Sequence, residues 1–365
     1  MRTTRWIRSG RLAALIAAVP AVAAAQDENA GTFPRLDAEV LVEIQNDYAF
    51  DSDVNVNERN DLFTTTEPFL SFKATRNFKI ESGLVLEPVR DSDPGDDRFF
   101  EDHGLFAETL YAAYETDRFM VKAGKYNPSF GTAWDAAPGI YGVDFAEDYE
   151  LTERIGAAAS YTFVGPDTGE HTVTVNSFFA DTTFLSQSAF AGRGDLDKSD
   201  GGPSNTEDPS SLSVTLGGGG MPAVPVDYHL GARYQEGGPG TPNDETGVVA
   251  GISGSYSLMP GHLVEPIAEV AYFDDFAGTS QDRTYLTTGF SVLRGPFNVS
   301  ASYTGRFIDA NSPADGTDTL AQLTAGYALN NGLTLDAGYR YEESGDVDTH
   351  IIGALVTYTF TTSIP

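Results

Sequence analysis

The 365 residues carry 22 Lys+Arg against 53 Asp+Glu, a net charge of −31, and this excludes nucleic acid held on a basic surface, because neutralising phosphates takes Lys and Arg in excess. The absence of cysteine excludes a disulfide framework, while 17 Tyr, 23 Phe and regular apolar spacing argue against disorder. Beyond the first 25 residues no stretch approaches the 18 consecutive apolar residues of a membrane-spanning helix.

In chain order, Arg2, Arg5, Arg8 and Arg11 precede an apolar run over 12–25, and Ala23-Ala24-Ala25 stand before Gln26. This pattern predicts a secretory signal over 1–25, since a run broken by Pro20 is too short for a bilayer of about 30 Å. Cleavage leaves 18 basic residues against 53 acidic ones. A short segment, 26–34, follows.

From residue 35 the dominant period is two, the period of a strand. Leu36, Ala38, Val40, Val42 and Ile44 alternate with Asp37, Glu39, Leu41, Glu43 and Gln45. The pattern recurs at Ile155, Ala157, Ala159, Tyr161 and Phe163, and again at Leu333, Leu335, Ala337, Tyr339 and Tyr341. Sixteen strands are expected, at 35–48, 64–75, 78–89, 105–115, 118–126, 152–163, 171–180, 210–217, 226–235, 247–258, 262–273, 284–293, 296–306, 318–328, 332–342 and 350–360. Each is close to the 9–11 residues that a tilted strand needs to cross lipid. A tail is left at 361–365.

The connections alternate in length. Short links at 75–78, 115–118, 164–170, 258–262, 294–296 and 328–332 are interleaved with long polar ones at 49–63, 90–104, 127–151, 181–209, 236–246, 274–283, 307–317 and 343–349. One link fits badly, the Gly/Pro-rich stretch 218–225. Loops sorted this way predict an all-β, transmembrane antiparallel β-barrel of about 16 strands over 35–360, with short periplasmic turns and long extracellular loops. Lipid demands closure, because an open edge would leave N–H and C=O groups without partners. The apolar row then faces acyl chains and the polar row a water-filled interior. Tyr48, Phe78, Tyr114, Phe119, Tyr161, Tyr234 and Tyr272 are placed for interfacial girdles.

Lys73, Lys79, Lys122, Arg154, Arg233, Arg306 and Arg340 all fall on the polar rows. A charge facing mid-membrane lipid costs roughly 2–4 kcal/mol, so inward placement is forced whatever the function. Asp37, Glu39, Glu43, Glu81, Glu87, Glu265, Glu269 and Asp336 are also inward, so acids outnumber bases and a cation preference is expected.

The stretch Ala123-Gly124-Lys125-Tyr126-Asn127-Pro128-Ser129-Phe130-Gly131, with Trp134-Asp135 and Asp148-Tyr149-Glu150, resembles a segment of proteobacterial outer-membrane porins, including the phosphate-selective type. The resemblance covers about residues 123–150. It implies a passive outer-membrane diffusion channel and a homotrimer, but not phosphate selectivity, because the expected arginine ladder is missing. In general porins the third outward loop narrows the lumen. By position that loop is 127–151 here, with Asp135, Asp144, Glu147, Asp148 and Glu150 as its acids against the inward bases. The last strand, with Ile352, Ala354, Val356, Tyr358 and Phe360 alternating, resembles the assembly signal of outer-membrane proteins, although Phe360 is not terminal.

No enzyme is expected, because His103, His171, His229, His262 and His350 are scattered and no local Ser, His and Asp group forms. The acidic loops 90–104 and 193–208 lack EF-hand spacing, and the run Gly217-Gly218-Gly219-Gly220 lacks a following Lys-Ser or Lys-Thr. No metal or cofactor is predicted. The expected partners are outer-membrane lipid, lipopolysaccharide and small hydrophilic solutes. A substrate-specific channel is the rival within the class, and a secreted, soluble β-rich binding protein the rival outside it.

Overall fold

Lipid leaves a strand only two acceptable surfaces, one for acyl chains and one for water or protein. The computed structural model, which describes residues 32–165, 168–194, 196–221, 226–310 and 315–365, resolves the alternation in that way. The expected signal at 1–25 lies outside the described residues, as does most of 26–34.

Sixteen antiparallel strands form one closed barrel. They are β1 (Arg35–Ser52), β2 (Asn60–Lys73), β3 (Phe78–Pro88), β4 (His103–Glu115), β5 (Phe119–Tyr126), β6 (Arg154–Gly165), β7 (Gly169–Ala180) and β8 (Ser211–Gly219). The second half comprises β9 (Asp227–Gln235), β10 (Glu245–Ser253), β11 (His262–Asp274), β12 (Asp282–Arg294), β13 (Phe297–Asp309), β14 (Gly316–Ala328), β15 (Leu333–Ser344) and β16 (Val347–Ile364). Closure comes from β1, which pairs with β2 on one side and β16 on the other. The expected tail is part of this seam, because Thr361, Thr362, Ser363 and Ile364 pair with Glu39, Ala38, Asp37 and Leu36. The strand extends past Phe360 because β1 still offers unpaired backbone there. Likewise β8 takes up 218–219 of the ill-fitting Gly/Pro-rich link, of which 222–225 lie outside the described residues.

The faces are inverted relative to a water-soluble protein. Leu230, Val248 and Leu323 are about half exposed on the outside, whereas Glu43, Gln45 and Thr304 are buried within. A soluble sandwich would bury the apolar row against a second sheet, and here that row faces outward from a single sheet. Phe78, Tyr114, Phe119 and Tyr161 gather on the outer surface at the short-turn end, while Tyr48 and Tyr272 lie near the long-loop end. Tyr234 is half-buried, with its hydroxyl donating to Asp244 at 2.8 Å.

Two irregularities shape the wall. At β4 the register against β3 shifts between Gly83 and Leu84, leaving Glu108 as the extra residue of a bulge. Glu108 and Thr109 therefore both turn inward, the re-aiming that bulges produce. The second is the shortness of β5, which pairs only with the lower half of β4. The exposed upper edge is covered by Ala189–Phe190, pairing with Gly104 and Leu105.

Candidate functional site: a loop folded into the barrel

Where β5 stops, residues 127–153 turn into the lumen, and their own composition drives them there. Phe130, Ala133, Ile140, Tyr141, Ala146, Tyr149 and Leu151 are all fully buried. Phe130 and Tyr149 pack with Phe273 and Tyr285 of the wall, at ring separations of 5.1–5.9 Å. The hydrophobic core thus lies inside the barrel, between loop and sheet.

Glycines on the wall make room. A Cβ on Gly353 of β16 would lie 1.9 Å from the Tyr141 hydroxyl, and one on Gly289 of β12 would lie 2.9 Å from Pro138. Polar anchors then fix the loop strand by strand. Glu269 of β11 accepts from Thr132 N at 2.7 Å, Ala133 N at 3.2 Å and the Tyr149 hydroxyl at 2.5 Å. His229 of β9 is 2.5 Å from the same carboxylate. Gln322 of β14 donates to Pro138 O at 2.8 Å, and Tyr141 donates to Asp47 of β1 at 2.6 Å. These anchors hold the loop against β9, β11 and β14 and, across the barrel seam, against β1.

The loop acids fall into two sets. Asp144 pairs with Arg340 at 2.6 Å. Asp148 pairs with Arg306 at 2.6 Å, lies 3.9 Å from Arg283 and accepts from the Tyr285 hydroxyl at 2.9 Å. Arg306 also engages Asp318, and Arg340 engages Glu342. Arg233 binds Glu245 at 2.7 Å and donates to Tyr149 O at 2.6 Å. These acids and bases touch. They do not face each other across a gap, as a transverse field would require.

Glu147 and Glu150 lie on the other side, in the electrostatic range of wall carboxylates, and Asp135 acts on Glu150. Asn127 Nδ2 donates to Glu108 at 3.0 Å and to Glu150 at 3.3 Å, so one amide ties wall to loop. Burial, then Glu108, Glu147, Asp135 and Glu67 in that order, push the Glu150 carboxyl well above its ordinary range.

Of the seven inward bases, Arg233, Arg306 and Arg340 touch the loop, and Arg154 stands where it rejoins the wall. Lys73 and Lys79 sit beside the short turn at 74–77, paired with Asp37 and with Glu81 and Glu115. Lys122 lies over the Tyr126 and Tyr111 rings, at 4.2 and 5.1 Å. The Gly124-Lys125 pair of the resembling segment serves the wall. A Cβ on Gly124, whose φ is +139°, would be 2.4 Å from Leu110 O. Lys125, fully buried, binds Glu153 at 2.7 Å and Asp181 at 2.8 Å.

Sequence reasoning did not single out Glu67, Glu108, Glu245, Arg283 or Asp318. Glu67 was legible, because the parity that turns Lys73 inward turns it inward too. The bulge hides Glu108, and Arg283 precedes the expected start of its strand.

No protein-family model matches the chain, and no curated protein does. Solved structures do match. The outer membrane channel DcaP of Acinetobacter baumannii superposes with a TM-score of 0.58 at 11% identity, covering 90% of this chain and 98% of that one. OccK1 (OpdK) of Pseudomonas aeruginosa gives 0.55 at 9%, covering 90% and 99%. A BenF-like porin of Pseudomonas fluorescens Pf-5 gives 0.53 at 10%, covering 90% and 99%. The chain has the fold of outer-membrane channel barrels, and its apolar outer surface and closed sheet are those of a protein of the outer membrane.

Proposed function

We propose that the chain is a passive diffusion channel for small hydrophilic solutes and ions, with a preference for cations. One observation carries the reading: residues 127–153 lie inside the barrel among acidic and basic side chains from opposite walls. The bases that touch this loop are each engaged by carboxylates, whereas the wall on the other side carries the buried acids Glu67, Glu87 and Glu108, the last joined to Glu150 through Asn127. Charge lining a narrow passage sets the sign of the ion that passes.

A substrate-specific channel is the second reading, favoured by the dense anchoring of the loop, which gives the lumen a fixed shape. Saturable conductance block by one solute separates it from general diffusion. We also infer a homotrimer seated in outer-membrane lipid and lipopolysaccharide. Support comes from OmpT of Vibrio cholerae, solved in a trimer form, which superposes with a TM-score of 0.50 at 12% identity, covering 89% of this chain and 99% of that one.

Purified protein in planar bilayers tests the reading. Discrete conductance steps in KCl are expected, with a reversal potential under a salt gradient on the cation side. Absence of steps overturns the channel, and an anion-side potential overturns the preference.

A further inference from the structure

Around the short turn between β2 and β3, like charges are set side by side. Arg35 of β1 lies directly opposite Lys73 of β2, and Lys73 lies directly opposite Lys79 of β3. All three share the inward row, and like charges directly opposite each other destabilise a sheet. Arg76 adds a fourth base from the turn itself, where the Thr75 hydroxyl accepts from Phe78 N at 3.0 Å. Resident carboxylates offset part of this charge. Asp37 is 3.1 Å from Arg35 and 2.8 Å from Lys73, and Lys79 lies 3.0 Å from Glu81 and 3.2 Å from Glu115. Among the described residues three acids thus meet four bases, and Arg76, exposed, is the base without a carboxylate. An ammonium carries three N–H donors and a guanidinium five. Lys73 engages one carboxylate and Lys79 two, so each keeps at least one donor. Arg35, Lys73, Arg76 and Lys79 line one cavity of about 300 Å³, the lower end of the range for ligand pockets.

We propose that this cavity, at the short-turn mouth of the barrel, binds a small oxyanion through Arg76, Lys73 and Lys79. The donors select the class of ligand. A guanidinium presents parallel N–H groups that match two oxygens of one carboxylate, sulfate or phosphate group, and the two ammoniums add point charges. A halide has no second atom for the fork. The site also lies apart from the inserted loop. Arg35 is about 40 Å of strand, at 3.3 Å per residue, from Asp47, where Tyr141 anchors the loop on β1. An anion held at the mouth is therefore remote from the loop acids on which the cation preference rests, and its binding does not depend on conduction.

Calorimetric titration of the purified barrel in detergent with sodium sulfate, at ionic strength held constant with NaCl, should give saturable binding of one anion per chain. Arg76→Gln and Lys73→Gln should each weaken it about tenfold, the loss of one charge-assisted hydrogen bond. Arg294→Gln, exposed at another short turn of the same end, should leave it unchanged. Heat-modifiable migration in gels shows which variants are folded, and Arg76→Gln, on an exposed turn, tests the site even where Lys73→Gln fails to fold. No saturable sulfate binding to the wild type overturns the site, as does wild-type affinity in folded Arg76→Gln. An equal loss in Arg294→Gln also overturns it, because general attraction to basic turns would then account for the binding. Sodium bromide in place of sulfate should give no saturable heat, and bromide binding as tight as sulfate removes the oxyanion class.

Discussion

Glu269 shows how much one side chain holds in place. Buried in the wall, it accepts from two backbone amides, the Thr132 hydroxyl and a tyrosine, and lies against His229. Hydrogen bonds to a charged group contribute about 1.5–3 kcal/mol each, and removing one partner from a buried charged network costs about 3–5 kcal/mol. Glu269→Ala should free the loop without opening the barrel. Limited chymotrypsin digestion should then cut at Tyr141 or Phe145, which the wild type protects; equal protection would show that Glu269 is not the anchor. Glu150 makes a prediction of opposite sign. Its carboxyl is raised in the folded state, so the folded barrel binds the proton more tightly there than the unfolded chain does. Stability from this group is intact below the unfolded value and falls as pH rises through the folded one. Glu150→Gln, unfolded in chelator, should therefore stabilise the barrel at mildly alkaline pH and do little in acid. A gain confined to acid would reverse the assignment.

At the scale of elements, the strands and the loop were legible to different degrees. Strands were read almost to their ends because lipid imposes a two-residue period that no later contact overrides. In β4, expected at 105–115 and found at His103–Glu115, the bounds were legible but the facing was not, since the extra residue at Glu108 shifts the parity of everything after it. The loop was legible as an insertion of the right length and place, but its partners were not. Asp144 meets Arg340 and Tyr141 meets Asp47, contacts far apart in sequence that only closure of the barrel creates. Of the loop acids expected against the inward bases, Asp148 and Asp144 pair directly with Arg306 and Arg340. Neutralising Asp135, Asp144 and Asp148 together should release Arg306 and Arg340 and move the reversal potential toward anions, lowering the cation-to-anion permeability ratio several-fold. An unchanged potential would place the loop away from the narrowest point.

The whole molecule is organised by its two solvents. Its acids concentrate in loops and lumen, its aliphatic side chains on the outer face, and, among the described residues, its larger core lies between the inserted loop and the inner wall. That arrangement explains how so acidic a chain is stable without cysteine: closure satisfies the backbone, and lipid takes up the apolar row. The absence of native cysteine also permits a direct test of which way each row faces. Single cysteines at Asn298, half-buried on the inward row of β13, and at Val299 and Tyr303 on its outward row, in protein reconstituted into vesicles, can be challenged with a small charged thiol reagent. Reaction is expected at 298 and protection at 299 and 303. Reaction at 299 and 303 with protection at 298 would contradict the assignment of the two rows.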